Sequence, residues 1–281
     1  MISRALPMSD GRPSVQGVRS PRAETLILDI ETVPDVERWQ RPEPPQGPDA
    51  PPPPKADVFP PIWAHRIIVV GCLVLDHGYR LKRLHVIGDH GSGSADERER
   101  ALLDDFSRFV GKQRPVLVTY NGRSFDLPVI AMRALCHAVP LGWYYRDRDV
   151  RSRYAGTGHL DLCDWLADHG AIRAGKLDQV ARLIGLPGKV GVDGSQVEGL
   201  YARGELAAIQ RYCLADCAQT ALLFLRFRLL QGAIGVADYR EAVAQLVDAL
   251  AADGRVTEML DGLDCARLLG PAPPPDADAY A

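Results

Sequence analysis

The pattern of hydrophobic and polar residues divides the middle of the chain into strands and helices. An apolar run at 26–28 leads into the acidic sequence DIET, and 65–75 is too apolar to lie on a surface. The alternating stretch 78–88 follows, and the Asp-His-Gly sequence at 76–78 predicts a hairpin between these two strands. Two further short strands are predicted at 115–120 and 158–162.

Helical spacing, with apolar residues three or four apart, follows the strands. Ser94 is a predicted N-cap, and the longest helix carries the apolar stripe Leu206, Ile209, Cys213 and Cys217. The predicted helices are 94–112, 127–138, 177–186, 205–231, 238–250 and 255–268. Strands first and helices later, alternating in the middle, predict an α/β domain over residues 24–231.

The flanking segments have different compositions. Residues 1–23 predict a disordered leader, and 271–281 a disordered tail. Residues 40–61 contain ten prolines, which exclude a helix or a central strand and predict a long loop inserted in the domain. Residues 232–270 form a predicted C-terminal helical extension.

Composition excludes several classes of protein. An apolar fraction of 46% and a charged fraction of 25% are ordinary for a globular protein, and the net charge of −3 gives no overall basic field for nucleic acid. The six cysteines include no CxxC pair, which indicates reduced thiols. Because no apolar run is long enough to span a bilayer and no signal peptide is evident, we expect a cytoplasmic protein without a membrane partner.

Acidic residues stand where predicted elements end or pack. Asp29 and Glu31 lie two apart on a strand, share a face and therefore repel one another unless a cation lies between them. A strand that ends in two solvated acids is the alternative. Asp126 follows a buried strand, and Tyr212 and Asp216 share one helix face at the edge of the apolar stripe. These carboxylates sit on elements that could converge at one end of a sheet.

Three of these stretches together resemble a known family. DIET, YNGRSFDLP and YCLAD are similar to the three exonuclease motifs of the DEDD superfamily of 3′→5′ exonucleases. The best resemblance is to stand-alone proteins related to the proofreading domain of family B DNA polymerases, over roughly residues 24–231. It implies a ribonuclease H-like fold, in which helices flank a mixed central sheet.

The resemblance also implies roles for individual residues. The implied ligands of two divalent cations, Mg²⁺ or Mn²⁺, are the catalytic acids Asp29, Glu31, Asp126 and Asp216. Tyr212 matches the catalytic tyrosine of the DEDDy branch, since Arg211 stands where the histidine branch has its histidine. Implied substrate contacts are Thr32, Asn121 and Phe125. Ser124 departs from the asparagine that is frequent at its position in relatives.

The predicted function is metal-dependent hydrolysis of single-stranded nucleic acid from its 3′ end, with DNA favoured over RNA. Hard oxygen ligands suit two divalent ions, and such ions suit phosphodiester hydrolysis. Two alternatives stay open: a nucleic-acid-binding module on a nuclease scaffold, and an aspartyl-phosphate type phosphatase with Asp29 as nucleophile.

Other candidate residues have weaker signals. Asp161 is interpreted as a helix N-cap in preference to a fifth ligand, and His159 as a packed histidine. Trp39 or Trp63, at the ends of the Pro-rich loop, is a candidate for base stacking. The basic stretch 144–154 could bind a phosphate backbone or form a solvated loop.

Overall fold

A computed structural model of the chain describes residues 23–42, 59–88, 92–189, 191 and 194–271. The predicted leader, nearly all of the predicted tail and the proline-rich core of the insertion lie outside these ranges. The strands are β1 (Thr25–Pro34), β2 (His65–Leu75), β3 (Leu81–Ile87), β4 (Val116–Thr119) and β5 (His159–Asp161). They form one sheet in the order β3–β2–β1–β4–β5.

The sheet is mixed. β2 pairs antiparallel with both β1 and β3, whereas β4 pairs parallel with β1 and β5. The predicted hairpin is confirmed, and its turn extends over 76–80 because the Asp76 carboxylate accepts the N–H groups of Gly78 and Arg80 at 2.8 and 2.9 Å. This strand order and these directions, with helices on both faces, confirm the ribonuclease H-like fold.

Helices cover both faces of the sheet. Their bounds are α1 (Ala95–Gln113), α2 (Asp126–Cys136), α3 (Gly142–Tyr145), α4 (Arg148–Arg151), α5 (Leu162–Leu166), α6 (Leu177–Leu183), α7 (Val197–Ala202), α8 (Leu206–Leu230), α9 (Val236–Asp253), α10 (Thr257–Asp261) and α11 (Cys265–Leu269). Ser94 caps α1 in a reciprocal capping box with Glu97, as its position predicts. The prediction of a single helix over 255–268 is wrong: α10 ends at Asp261, before Gly262, and Asp264 caps the separate α11.

The two faces of β1 pack against different helices. Leu26, Leu28 and Ile30 belong to a core shared with α1 and α2, whereas Ile27 faces the core built around α8 and α9. Because side chains alternate along a strand, Asp29 and Glu31 lie on the α8 face with Ile27. The acids therefore project towards the longest helix of the protein.

A glycine lets α8 approach the sheet at this point. Gly71 pairs with Asp29 across the β1–β2 ladder. A Cβ atom at Gly71 would lie 2.7 Å from the sulfur of Cys213 and 2.8 Å from that of Cys217, so any larger residue would push α8 away. The predicted apolar stripe of α8 therefore packs directly on β2, beside the acids of β1.

The C-terminal helices add to the same core. Tyr239, Val243 and Leu246 of α9 are buried with the inner face of α8. Arg226 of α8 donates to the tyrosine hydroxyl at 2.9 Å. Within the described ranges, no helix is both long and apolar enough to cross a lipid bilayer.

Candidate active site

The two acids of β1 lie inside the strand and not at its end, which corrects the expectation from the sequence. β1 continues to Pro34, and its pairing with β2 shifts register between Glu31 and Thr32. This irregularity bends the strand immediately after the second acid. Asp29 is partly exposed, and Glu31 is 8% exposed.

Asp126 and Asp216 come to the same place from two helices. Asp126 is the first residue of α2, and its Oδ1 accepts the N–H of Ile30 at 3.1 Å, from the strand residue between the two β1 acids. Asp216 lies near the middle of α8, where Gln219 donates to its Oδ1 at 3.4 Å. The structure therefore brings together the four carboxylates that the sequence singled out.

Burial and mutual repulsion disfavour the charged forms of these acids. The pKa of Asp29 is raised well above its ordinary value by burial and then by the charges of Asp126 and Asp216. Burial and the other three acids raise the pKa of Glu31 in the same direction. Burial raises the pKa of Asp126 to about 7 and that of Asp216 to about 6. A cation among them would relieve this repulsion.

Tyr212 completes the cluster. It lies four residues before Asp216 on the same face of α8, and it interacts with that carboxylate. Burial, and then the charges of Asp216 and Glu31, raise the pKa of the phenol. Tyr212 is therefore neutral near pH 7 and can orient a ligand through its hydroxyl, but it is a poor base.

A tight loop carries the second motif. Asn121 has a left-handed backbone (φ 66°), and its N–H donates to the Asp161 carboxylate at 2.8 Å, as does the N–H of Arg123. A side chain at Gly122 would lie within 2.7 Å of Thr119, so only glycine fits at this turn. These contacts fix the loop that precedes Phe125, whose ring lines the same groove as Glu31, whereas the Asn121 side chain is exposed.

An open groove of about 300 Å³ begins at Glu31. One wall consists of aromatic rings: the Phe59 and His65 centroids are 4.8 Å apart, and those of His65 and Phe125 are 5.0 Å apart. Residues 194, 195 and 198 also line the groove. Thr32 also lines the groove, and its hydroxyl is 2.9 Å from His65 Nδ1.

The tautomer of His65 follows from its other contact. Its Nε2 lies 2.9 Å from the Pro60 carbonyl oxygen, which can only accept a hydrogen bond. Nε2 therefore carries the proton, and Nδ1 accepts from the Thr32 hydroxyl. The lone pairs of the Thr32 oxygen remain available to a donor on a ligand in the groove.

Comparison with known proteins identifies the family. The model of a family described as a predicted 3′–5′ exonuclease related to the exonuclease domain of PolB matches residues 57–262. The matched segment begins after β1 and contains Asp126, Tyr212 and Asp216. The chain belongs to this family.

The chain also resembles individual polymerases and nucleases. It is 24% identical over 134 residues, 46% of its length, to the catalytic subunit of DNA polymerase epsilon from Schizosaccharomyces pombe, of which it covers 6%. It is similar to the family B DNA polymerase of Pyrobaculum calidifontis, with a TM-score of 0.48 and 19% identity, over 81% of this chain and 29% of that chain. It is also similar to E. coli exonuclease I in complex with a 5cy-dT13 oligonucleotide, with a TM-score of 0.34 and 13% identity, over 77% of this chain and 46% of that chain. The chain therefore spans less than half the length of each of these proteins.

The remaining candidates in this member of the exonuclease family have structural partners. Asp161 is the N-cap of α5, as predicted, and accepts the N–H groups of Cys163 and Asp164. His159 is buried, and its Nδ1 accepts from Arg123 at 3.0 Å, so its other nitrogen donates to Thr119 at 2.8 Å. Burial lowers the pKa of His159 to about 3, which keeps it neutral. Most of the basic stretch 144–154 is exposed, and Arg153 pairs with Asp164.

A second acidic group lies away from the groove. Asp96, Glu99 and His137 have their polar atoms within 4.8 Å of one another. Arginines already neutralise it: Arg133 binds Glu99 through two nitrogens, and Arg66 lies 2.7 Å from Asp96. This group joins α1 to α2 and β2 and is a structural ion-pair network.

Sequence reasoning missed several residues of the groove. Phe59 and His65 form its aromatic wall, and Arg41 pairs with Glu198 at 2.9 Å where the groove opens. The aromatic residues beside the Pro-rich insertion were the available signal, but the prediction named Trp39 and Trp63 instead. Trp63 is 49% exposed, and base stacking by either tryptophan stays a prediction.

Proposed function

We propose that the chain is a divalent-metal-dependent exonuclease that removes nucleotides from the 3′ end of single-stranded nucleic acid, with DNA preferred to RNA. The observation that carries this proposal is the convergence of four carboxylates, two of them buried and two partly buried, and a tyrosine beside an open groove. Membership of the exonuclease family and the order of the three motifs support it. The DNA preference rests on the relation of the family to DNA polymerases.

The donor set suits hard divalent cations. The residues that would hold two such ions, Mg²⁺ or Mn²⁺, are Asp29, Glu31, Asp126 and Asp216. Their oxygens match the ligands that these ions prefer, and their raised pKa values mark a site that gains from positive charge. When bound, the ions supply the charge that activates water and stabilises the oxygen leaving phosphorus.

The other residues of the site position the reactants. Tyr212 is neutral and stands beside Asp216, so its hydroxyl can hold the attacking water in line with the phosphorus. The rings of Phe59 and Phe125 offer surfaces on which the terminal base can stack. Such stacking accepts any of the bases and therefore imposes little sequence specificity. The free lone pairs of Thr32 can accept a hydrogen bond from the terminal 3′-hydroxyl.

The thiols support a proposal about the compartment. All six cysteines are free in the structure, and two of them, Cys136 and Cys265, are exposed. Exposed thiols persist in a reducing environment, so we place the protein in the cytoplasm.

A digestion experiment tests the function. Single-stranded DNA, duplex DNA and RNA of one sequence, each labelled at the 5′ end, are incubated with the protein and Mg²⁺. We expect stepwise shortening from the 3′ end, fastest on single-stranded DNA, and no shortening when a chelator replaces Mg²⁺. Asp216→Asn should abolish the ladder, whereas Asp104→Asn, which alters a surface carboxylate of α1, should leave it unchanged.

The same experiment separates the alternatives. Retention of labelled strands in a binding assay without any shortening would favour a binding module. Phosphate release from small esters, with intact oligonucleotides, would favour a phosphatase. Shortening that Asp216→Asn does not reduce would contradict the assignment of the site.

A further inference from the structure

A thiol lies among the acids of the site. The sulfur of Cys213 is 3.3 Å from Asp29 Oδ2 and 3.6 Å from the Asp29 carbonyl oxygen. One oxygen each from Asp29 and Glu31 and the Cys213 sulfur all lie within 4.8 Å of one another. Cys213 is fully buried, because Gly71 allows α8 to press its sulfur against β1 and β2. The three donor atoms therefore face one small volume.

Glu31 independently indicates that a cation belongs there. It is 92% buried, as its exposed fraction is 8%, and in the described part of the chain its carboxylate has neither a hydrogen bond nor an ion pair. Its electrostatic neighbours Asp29, Asp126 and Asp216 are acids that repel it. Ionising a carboxylate that is largely shielded from water and faces three other acids is costly, and a bound cation would offset that cost. Glu31 also borders the groove, so an ion can reach it from solvent.

The mixture of donors selects the kind of ion. Mg²⁺ and Mn²⁺ prefer oxygen ligands, whereas Zn²⁺ and Cd²⁺ also bind thiolates strongly. In a tetrahedral zinc site with Zn–S of about 2.3 Å and Zn–O of about 2.1 Å, neighbouring sulfur and oxygen ligands lie about 3.6 Å apart. The Cys213 sulfur and Asp29 Oδ2 are already 3.3 Å apart, so little movement is needed. Glu31 lines the open groove, so water could reach a fourth position on the ion.

We propose that Asp29, Glu31 and Cys213 form a binding site for one thiophilic divalent cation, Zn²⁺ or Cd²⁺. On binding, the S–H bond of Cys213 breaks, its proton leaves to solvent, and the thiolate bonds to the ion with no change of oxidation state. That ion takes two of the carboxylates assigned above to Mg²⁺. It therefore inhibits cleavage by competition, and this consequence rests on the proposed function.

A spectroscopic titration tests the site without measuring activity. The reference protein carries Cys136→Ser and Cys265→Ser, which remove the two exposed thiols. Adding Cd²⁺ to this metal-free protein should produce the ultraviolet charge-transfer band of a cadmium thiolate, saturating at one ion per chain. Further replacement by Cys213→Ser should abolish the band and weaken Cd²⁺ binding at least about tenfold.

Matched variants locate the thiol. Cys72→Ser changes a buried thiol in the core on the other side of the sheet and should keep the band. Cys217→Ser changes the neighbouring thiol on α8 and should keep it as well. Loss of the band in Cys217→Ser but not in Cys213→Ser would overturn the assignment, as would the absence of any band in the reference protein. If Cys213→Ser does not fold, as judged by circular dichroism, Cys213→Ala serves with the same expected loss.

Two results separate this proposal from the proposed function. A cadmium band without Mg²⁺-dependent digestion would leave the thiophilic site in place and refute the exonuclease. Digestion with Mg²⁺, but no cadmium band, would refute the thiophilic site and leave the exonuclease in place. When both hold, raising Mg²⁺ should relieve Zn²⁺ inhibition in the reference protein, and the Zn²⁺ concentration for half-inhibition should rise at least about tenfold in Cys213→Ser.

Discussion

Removal of metal should make the stability of the fold depend on pH in an unusual direction. Carboxylates whose pKa is raised on folding hold protons that the unfolded chain has already released. Asp126 has a pKa of about 7 and Asp216 a pKa of about 6, whereas an aspartate in the unfolded chain has a pKa of 3.8. Between these pH values the folded state holds the additional protons. Their contribution to stability is complete below pH 3.8 and is lost as pH rises through 6 and 7.

The size of the effect follows from the number of protons. Around pH 5 the folded state holds nearly two more protons on these acids than the unfolded state, so the free energy of unfolding falls by roughly 2 kcal/mol per pH unit. Between pH 6 and 7 Asp126 alone gives about 1 kcal/mol per pH unit. At roughly 2 °C per kcal/mol for a chain of this length, the pair lowers the melting temperature by about 4 °C per pH unit near pH 5.

Another buried group acts in the opposite direction. His159, with a pKa lowered to about 3, remains neutral in the fold while the unfolded chain takes up a proton below its ordinary value of 6.5. It therefore adds stability as pH rises from 3 to 6.5, and it offsets about one of the two acids. We therefore compare the melting temperatures of two proteins that both contain His159, in the same buffers, so that its contribution cancels.

Thermal unfolding of chelator-treated protein measures that difference. We compare the wild type with the double variant Asp126→Asn, Asp216→Asn, which conserves volume and leaves an oxygen to accept from Ile30. As pH rises from 4 to 7, the melting temperature of the wild type should fall relative to that of the variant. The increase in melting temperature on adding Mg²⁺ should grow over the same range in the wild type and vanish in the variant. Parallel curves for the two proteins, or a Mg²⁺ effect independent of pH, would refute the reasoning.

Three further predictions concern positioning and substrate binding. Asp216→Asn and Tyr212→Phe should each lower turnover by at least about a hundredfold. Raising the Mn²⁺ concentration should partly rescue Asp216→Asn but not Tyr212→Phe, because only the aspartate change weakens metal coordination. Full activity of Tyr212→Phe would contradict the role of its hydroxyl. Asp161→Ala should destabilise the fold by about 2–4 kcal/mol in chemical denaturation, because the N–H groups of Asn121 and Arg123 lose their acceptor. The variant should also have a raised KM, since the loop carries the second motif. A normal KM would show that the loop keeps its shape without Asp161. Phe59→Ala should raise KM for single strands about tenfold with kcat changed less, whereas Leu135→Ala, which truncates a residue 78% exposed on α2, should change neither.

The acids were predictable because each stands in a short motif on a strongly patterned element. Asp29 and Glu31 follow an apolar run, and Asp216 lies four residues from Tyr212 on a long helix. Periodicity determines which face a residue takes, and β1 and α8 obey it. The prediction that the acids end β1 was wrong, because the apolar run ends before the strand does. The ladder to β2 continues the strand through polar residues to Pro34.

The groove was not predictable, because its walls come from distant parts of the chain. Phe59 meets Phe125 with ring centroids 5.8 Å apart, and residues 194, 195 and 198 supply a further part of the lining. No pattern within a segment reports contacts across such separations. Asp161 illustrates the same limit, since its cap of α5 was predicted, but its bonds to the backbone of Asn121 and Arg123 depend on the β4–β5 pairing.

The burial of Cys213 was predictable, but its distance from Asp29 was not. Its place in the apolar stripe of α8 predicts a core residue, and it is fully buried. The stripe gives the direction of the side chain but not the distance between helix and sheet. That distance is set by Gly71 on a different strand, which sits opposite Asp29 and leaves room for the sulfur. A side chain that packs the core therefore also stands 3.3 Å from a carboxylate of the candidate site, and in our proposal its thiol adds a soft donor to a set of oxygen donors.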